Sequence, residues 1–272
     1  MPDNPLNRFE DTHILALDTV GEAGSIAVLK GMKCLLELSW QNGTPHSSNL
    51  LPVIRSGLGV LRLELQDMGL IAVNRGPGRW TGIRLGIATA MGLSMALGIP
   101  VTGVAGLDAL AQWAALSACR HGDVILAVLD ARRSQVYTAC YEVEACNTAG
   151  FRRRAVRYSD YSVVQPHELL NSLKTSKELL QASANLGQRR IVLCGDGAEA
   201  VLPVLEARFS PSNVLVCAPP AFLPGAAAVG YAALQEYGPG GMIPRDCTPL
   251  YIRLSDAEAN KYHKTTKGFN KE

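Results

Sequence analysis

The stretch from Ile71 to Val104, IAVNRGPGRWTGIRLGIATAMGLSMALGIPVTGV, constrains the fold more than any other. Ile71-Ala72-Val73 is an apolar run of strand length, closed by a Gly76-Pro77-Gly78 turn. A helix is predicted from about Thr81 to Leu97, stopped by Gly98 and Pro100, and a second strand starts at Val101. This is the length and order of a βαβ crossover. Within the helix Gly82, Gly86, Ala90 and Ser94 recur every four residues. Helical glycine costs about 1 kcal/mol against alanine, so such a stripe asks for close approach of another backbone, a helix or the sheet beneath. No charge falls between Arg84 and Asp108, so the helix is expected to be covered on most sides, within the domain or by a partner. The apolar stretch invites a membrane-span reading. Gly98 and Pro100 interrupt it, however, and the rest of the chain is patterned like a soluble protein.

The 272 residues suit two lobes of ordinary size. A formal net charge of +2 argues against a nucleic-acid binder working by electrostatics alone. The first dozen residues are polar, so no secretory signal is expected. The seven cysteines include no C-x-x-C pair and read as reduced thiols of a cytoplasmic protein.

In chain order, HILALD (13–18), SIAVL (25–29) and KCLLELSW (33–40) form a meander of three strands. Leu51, Ile54, Leu58, Leu61 and Leu65 step by three and four along a helix that Ser47 or Ser48 can cap. After the central unit, a helix is expected over 105–120, a strand over 123–129 ending in Asp130, and a strand over 135–141. The basic run Arg152–Arg154 with Arg157 is assigned to the wet face of a further strand. A short helix opens at Pro166, and residues 174–189 are helix or loop. A strand over 190–194 leads into Gly195-Asp196-Gly197, followed by a helix over 198–208 and an alanine-rich helix over 219–237. The second half repeats the first. The division expected is an extension over 1–12, an N-terminal lobe over 13–108, a C-terminal lobe over 109–254 and a flexible tail over 255–272. The last helix is able to pack back on the N-terminal lobe.

Chemistry-bearing motifs are sparse. Gly76-x-Gly78-x-x-x-Gly82 follows a strand, but Pro77 lacks an N–H and no acid stands about twenty residues on, so a structural turn is the better reading. The five histidines have no i, i+4 partner, which leaves no H-x-x-x-H metal motif. His46 therefore reads as a cap or interface residue. Asp18, Asp130 and Asp196 each end or follow a buried strand, where acids of two-lobed nucleotide-binding folds hold metal and phosphate. Structural turn acids explain them equally well.

With these pieces placed, the chain resembles the TsaB family, also called YeaZ. The matching stretches are ILALDT (14–19) with GSIAVL (24–29), HSSNLLPVI (46–54), the segment 73–111, VLDARRSQVY (128–137), LCGDGA (193–198) and PLYIR (249–253) with Ser255-Asp256. Together they span about residues 13 to 257. Trp80 stands where the family more often has phenylalanine. The resemblance implies an α/β actin/Hsp70/sugar-kinase-like (ASKHA) fold of two RNase-H-like lobes. It implies a non-catalytic scaffold for making N6-threonylcarbamoyladenosine beside the anticodon of tRNAs reading ANN codons. The partner implied is the catalytic paralogue TsaD, bound through the N-terminal lobe. A TsaE-like ATPase, tRNA reached through the complex, and a homodimer of the lone chain are implied as well. ATP and metal then belong to the partners, and no membrane is involved. Where TsaD carries a metal-binding H-x-x-x-H motif, His46 stands near its first position and Leu50 takes the second. The family's helical bundle maps onto 46–65 and 81–97. His46, Leu50, Leu51, Ile54, Trp80, Gly82, Ile83, Gly86, Ile87, Ala90 and Met91 are the interface candidates. Asp18, Thr19, Asp130, Gly195, Asp196 and Gly197 are the vestigial cleft candidates. The alternative is a nucleotide-binding enzyme transferring phosphoryl or carbamoyl groups at that cleft. A metallopeptidase reading fails for want of ligands.

Overall fold

Runs such as Leu15-Ala16-Leu17 and Val124-Ile125-Leu126 are apolar at successive positions, so a strand made of them must be covered on both faces. The computed structural model describes residues 11–41, 45–146, 151–172, 189–217, 225–236 and 247–253, and it covers them in this way. In the first sheet, β1 (His13–Asp18) pairs antiparallel with β2 (Gly24–Lys30), and β2 with β3 (Lys33–Trp40). On its other edge β1 runs parallel to β4 (Met68–Asn74), which runs parallel to β5 (Val101–Val104). The order is β3-β2-β1-β4-β5. In the second sheet β6 (Val124–Asp130) takes the place of β1. It is flanked by antiparallel β7 (Val136–Ala145) and then β8 (Arg153–Arg157) on one side. Parallel β10 (Ile191–Cys194) and then β11 (Val214–Cys217) lie on the other. The short β9 (Ser162–Val164) adds to β7. The two sheets therefore share one topology.

The two-residue period of the strands sorts their side chains. From β1, Leu15 and Leu17 face the core under α1 (His46–Leu61) and α2 (Trp80–Leu97), while Ile14 and Ala16 face the opposite core. That opposite core is built on α6 (Ala226–Glu236), with Ala109 of α3 (Gly106–Ser117). From β6, Ile125 and Ala127 face α3, whereas Val124, Leu126 and Val128 face α5 (Ala198–Glu206) and the short α4 (Leu169–Ser172). The last described helix thus completes the first sheet. Its N-terminus is fixed by that sheet's own side chains. Ser25 Oγ accepts the Ala226 N–H at 2.9 Å, and Glu37 Oε1 accepts that of Ala227 at 3.0 Å, an acid at the positive end of a helix dipole.

Several boundaries differ from the sequence-based expectation. Pro45, not Ser47 or Ser48, occupies the N-cap of α1, and no side chain caps it. The helix expected over 105–120 ends at Ser117, and that over 198–208 ends at Glu206. The helix opening at Pro166 is a 3-10 turn leading into α4. α6 starts at Ala226, and residues 218–224 lie outside the described residues, as do 1–10, 173–188 and 254–272. The basic run is not wholly on a wet face. Arg153 turns inward, donating to the carbonyls of Cys119 and, at 3.1 Å, Leu116, where α3 ends. Among the described residues no helix is long and apolar enough to cross a membrane.

Candidate functional site: the interlobe cleft and the outer face of two helices

The turns that follow β1, β6 and β10 open into one cleft between the lobes, about 990 Å³ in volume. Asp18, Asp130, Asp196 and Gly197 line it. Each carboxylate is already engaged. Asp18 Oδ1 accepts the Val20 N–H at 3.1 Å, and Oδ2 accepts Asn74 Nδ2 at 2.9 Å. Asp196 Oδ1 accepts the Asp130 N–H at 2.8 Å, and Asp130 Oδ1 accepts the Arg132 N–H at 2.8 Å. Burial raises the pKa of Asp18 and of Asp196 above the ordinary 3.8, because desolvation outweighs these hydrogen bonds. Among the described residues no group of three His, Cys, Asp or Glu side chains is placed to hold a metal ion.

The other cleft candidates serve packing. Thr19 is fully buried and its hydroxyl donates to the Gly82 carbonyl at 2.7 Å. Gly195 does not line the cleft. Its φ is +109°, and a Cβ there would lie 1.9 Å from the Val128 carbonyl oxygen, so both conformation and space demand glycine. The sequence reading missed the cations of this cleft, Arg79 and Arg132. Arg132 follows β6 in a left-handed turn of three non-glycine residues, Arg132, Arg133 and Ser134, with φ of 60°, 55° and 57°. From there it reaches across the cleft to Glu22, in the turn between β1 and β2. The adjacent Arg132-Arg133 pair was visible in the sequence, but its direction depends on that turn.

The second region is the outer face of α1 and α2. His46 is held within the chain: Trp40 Nε1–H donates to His46 Nδ1 at 3.2 Å, and His46 Nε2 lies 3.2 Å from the Gly21 carbonyl. One neutral tautomer, protonated on Nε2, satisfies both. Trp80 stacks on Tyr251 with centroids 3.9 Å apart, Arg84 covers its ring at 4.3 Å, and Arg84 Nε donates to Tyr251 Oη at 3.2 Å.

The interface candidates divide by burial, and most need correction. Leu50, Ile54, Ile83, Ile87 and Ala90 are buried in the core that α1 and α2 share with the first sheet. Gly82 and Gly86 face the chain's own turn after β1, since Cβ atoms there would lie 1.9 Å from the Thr19 carbonyl oxygen and 2.6 Å from Thr19 Oγ1. The glycine stripe thus seats α2 on its own lobe rather than on another helix. Leu51 and Met91 are exposed, and Met95, which the sequence reading missed, is 83 % exposed. Ala88, Met91, Gly92, Met95 and Ala96 make a continuous exposed apolar stripe on α2. The i, i+4 spacing of Met91 and Met95 was there to see. On a helix apolar all round, that spacing does not say which side faces in.

Comparison with known proteins places this geometry among relatives. The family model described as TsaD, tRNA N6-adenosine threonylcarbamoyltransferase, matches residues 42–159. The tRNA threonylcarbamoyladenosine biosynthesis protein TsaB of Escherichia coli is 31% identical over 206 residues, 71% of this chain and 82% of that protein. The TsaB protein of Bacillus subtilis is 35% identical over 130 residues, 47% of this chain and 55% of that one, so the match spans about half of that relative. The structure of YeaZ from Pseudomonas aeruginosa superimposes with a TM-score of 0.65 at 26% identity, covering 88% of this chain and 99% of that one.

Proposed function

The chain belongs to the TsaB (YeaZ) family, and from that premise we propose that it is an accessory subunit in the formation of N6-threonylcarbamoyladenosine on tRNA. It acts by pairing with a TsaD-like catalytic paralogue. The observation that carries the pairing is the exposed apolar stripe of α2, with Leu51 exposed on the neighbouring α1. Contiguous apolar surface of this kind marks an association site, and flexible methionines suit it to a helical partner. Alone, the chain covers the same stripe with a second copy. The engagement of the three cleft aspartates by N–H donors supports a non-catalytic role, with ATP and metal held by the TsaD-like and TsaE-like partners. tRNA is reached through the complex, in the cytoplasm, and exposed Arg152 is a group of this chain suited to its phosphates, whereas Arg154 is paired with Glu144.

The test is Met95→Asp. Met95 is exposed, so the variant folds. In the complex it places an unpaired charge in an apolar contact, which is costly to bury. Pairing with the TsaD-like subunit, measured by calorimetry, weakens at least thirtyfold, a ratio of about 2 kcal/mol. A host depleted of this protein and supplied with the variant fails to recover the modified nucleoside in digested tRNA. Unchanged pairing by the folded variant removes the stripe from the interface. Recovery of the nucleoside with pairing lost removes pairing as the way the chain acts. Ile87→Asp is not a suitable test, because Ile87 is only 7 % exposed and lies in the lobe's own core.

The alternative, nucleotide binding in the cleft, has the convergence of Asp18, Asp130 and Asp196 with Arg79 and Arg132 in its favour. Saturable ATP binding by the isolated chain, abolished by Asp196→Ala, supports that reading. Its absence up to millimolar ATP excludes it.

A further inference from the structure

A second pocket, about 400 Å³ in volume, shares no lining residue with the cleft. It lies where β8, α3 and α6 meet the turn after β4, and its polar lining is Arg75, Asp108, Tyr141, Arg157, Tyr161 and Gln235. Both oxygens of Asp108 are engaged: Tyr141 Oη–H donates to Oδ1 at 2.7 Å and Tyr161 Oη–H to Oδ2 at 2.6 Å. Burial and the neighbouring Asp108 push both phenols above the ordinary 10, so they stay protonated donors. Arg157 stands over the Tyr161 ring at 4.1 Å with Nε 3.7 Å from Asp108, which compensates its charge.

Arg75 is left over. Among the described residues it has no acidic partner. Its Nη1 is spent on the Thr248 carbonyl at 3.2 Å, and its Nε is buried with no hydrogen-bond partner among the described residues. A buried guanidinium N–H without an acceptor is a rare and costly arrangement that calls for one. With Nη1 committed on the far edge, the unpaired edge is the Nε–Nη2 fork, whose two parallel donors match the spacing of two oxygens on a carboxylate or phosphate.

We propose that this pocket binds a small singly charged oxyanion, a carboxylate or phosphate group, held side-on by the Arg75 Nε–Nη2 fork and flanked by Arg157. One uncompensated cation sets the charge of the ligand at about one. Asp108, the acceptor for both phenols, orients the two tyrosines and Arg157 around the pocket. The site goes beyond the pairing function and does not depend on it, so the isolated chain is the right sample.

The experiment is calorimetric titration of the full chain with acetate, inorganic phosphate and dimethyl phosphate, each at constant ionic strength. Saturable one-to-one binding of at least one is expected. A response to acetate alone identifies a carboxylate ligand, and a response to the phosphates alone a phosphate one. Arg75→Lys keeps the charge but loses the fork, and weakens binding at least tenfold. Because Arg75 also holds residue 248, Arg157→Gln and Ala155→Leu provide independent variants, the second narrowing the pocket without touching charge. Both weaken binding by a similar factor while the thermal midpoint without ligand stays within a degree or two. No saturable binding of any probe, or equal affinity in wild type and all three variants, overturns the proposal.

Discussion

Gly82→Ala measures how tightly α2 is seated on the turn after β1. A Cβ at Gly82 would lie 1.9 Å from the Thr19 carbonyl oxygen, whereas ordinary contact begins at 3.4 Å, so helix and turn must separate by about 1.5 Å. Overpacking of this sort costs about 1–3 kcal/mol. The separation also breaks the hydrogen bond from Thr19 Oγ1 to the Gly82 carbonyl, worth about 0.5–1.5 kcal/mol. Alanine's helix propensity returns about 1 kcal/mol. The net expectation is a loss of about 0.5–3.5 kcal/mol. The control is Gly92→Ala on the same helix, where a Cβ meets nothing within 4 Å and only the propensity gain of up to about 1 kcal/mol remains. Urea melts followed by far-ultraviolet circular dichroism give both numbers, and the two variants should move in opposite directions. If Gly82→Ala is as stable as wild type, or moves with Gly92→Ala, the close seating of α2 is refuted.

Two further predictions concern buried charge. Asp123 is 2 % exposed, and Arg190 Nη2 donates to its Oδ2 at 2.5 Å. Arg190→Ala leaves that carboxylate with only the Arg120 N–H and destabilises by about 3–5 kcal/mol in the same melts. Asp18 and Asp196 have folded-state pKa values raised above 3.8, so between 3.8 and those values the folded state holds protons that the unfolded state has released. Their contribution is therefore most favourable at low pH and is lost as pH rises through the raised values. Asp18→Asn, which cannot ionise, removes part of this decline, so a stability–pH curve parallel to wild type above pH 4 would contradict the burial account.

How much was legible in the sequence depended on how local the signal was. Strands β1, β4, β6 and β10 stood out as apolar runs, because a strand covered on both faces needs no alternation, and the repeat of strands and helices gave the two lobes. Asp18, Asp130 and Asp196 could be placed at strand ends because each directly ends or follows an apolar run, and Asp130 and Asp196 share an edge because the strands they follow, β6 and β10, are parallel in one sheet. The TsaB motifs carried the family for a similar reason, since they lie in contiguous turns and helices. The sequence by itself therefore determined the strands and helices of the core, the duplicated lobe and the family.

The side of α2 that faces outward was decided only by tertiary structure. Gly82-Gly86-Ala90 and Ala88-Gly92-Ala96 are equally small and apolar, and only the position of the Thr19 carbonyl makes the first stripe interior and the second exterior. The same holds for Arg75, whose side-chain partner, the Thr248 carbonyl, lies 173 residues away and whose unpaired Nε has no counterpart in any local pattern. Periodicity reports that a residue belongs to a face. Which face is covered, and which polar atom is left without a partner, depends on what the rest of the chain brings to it.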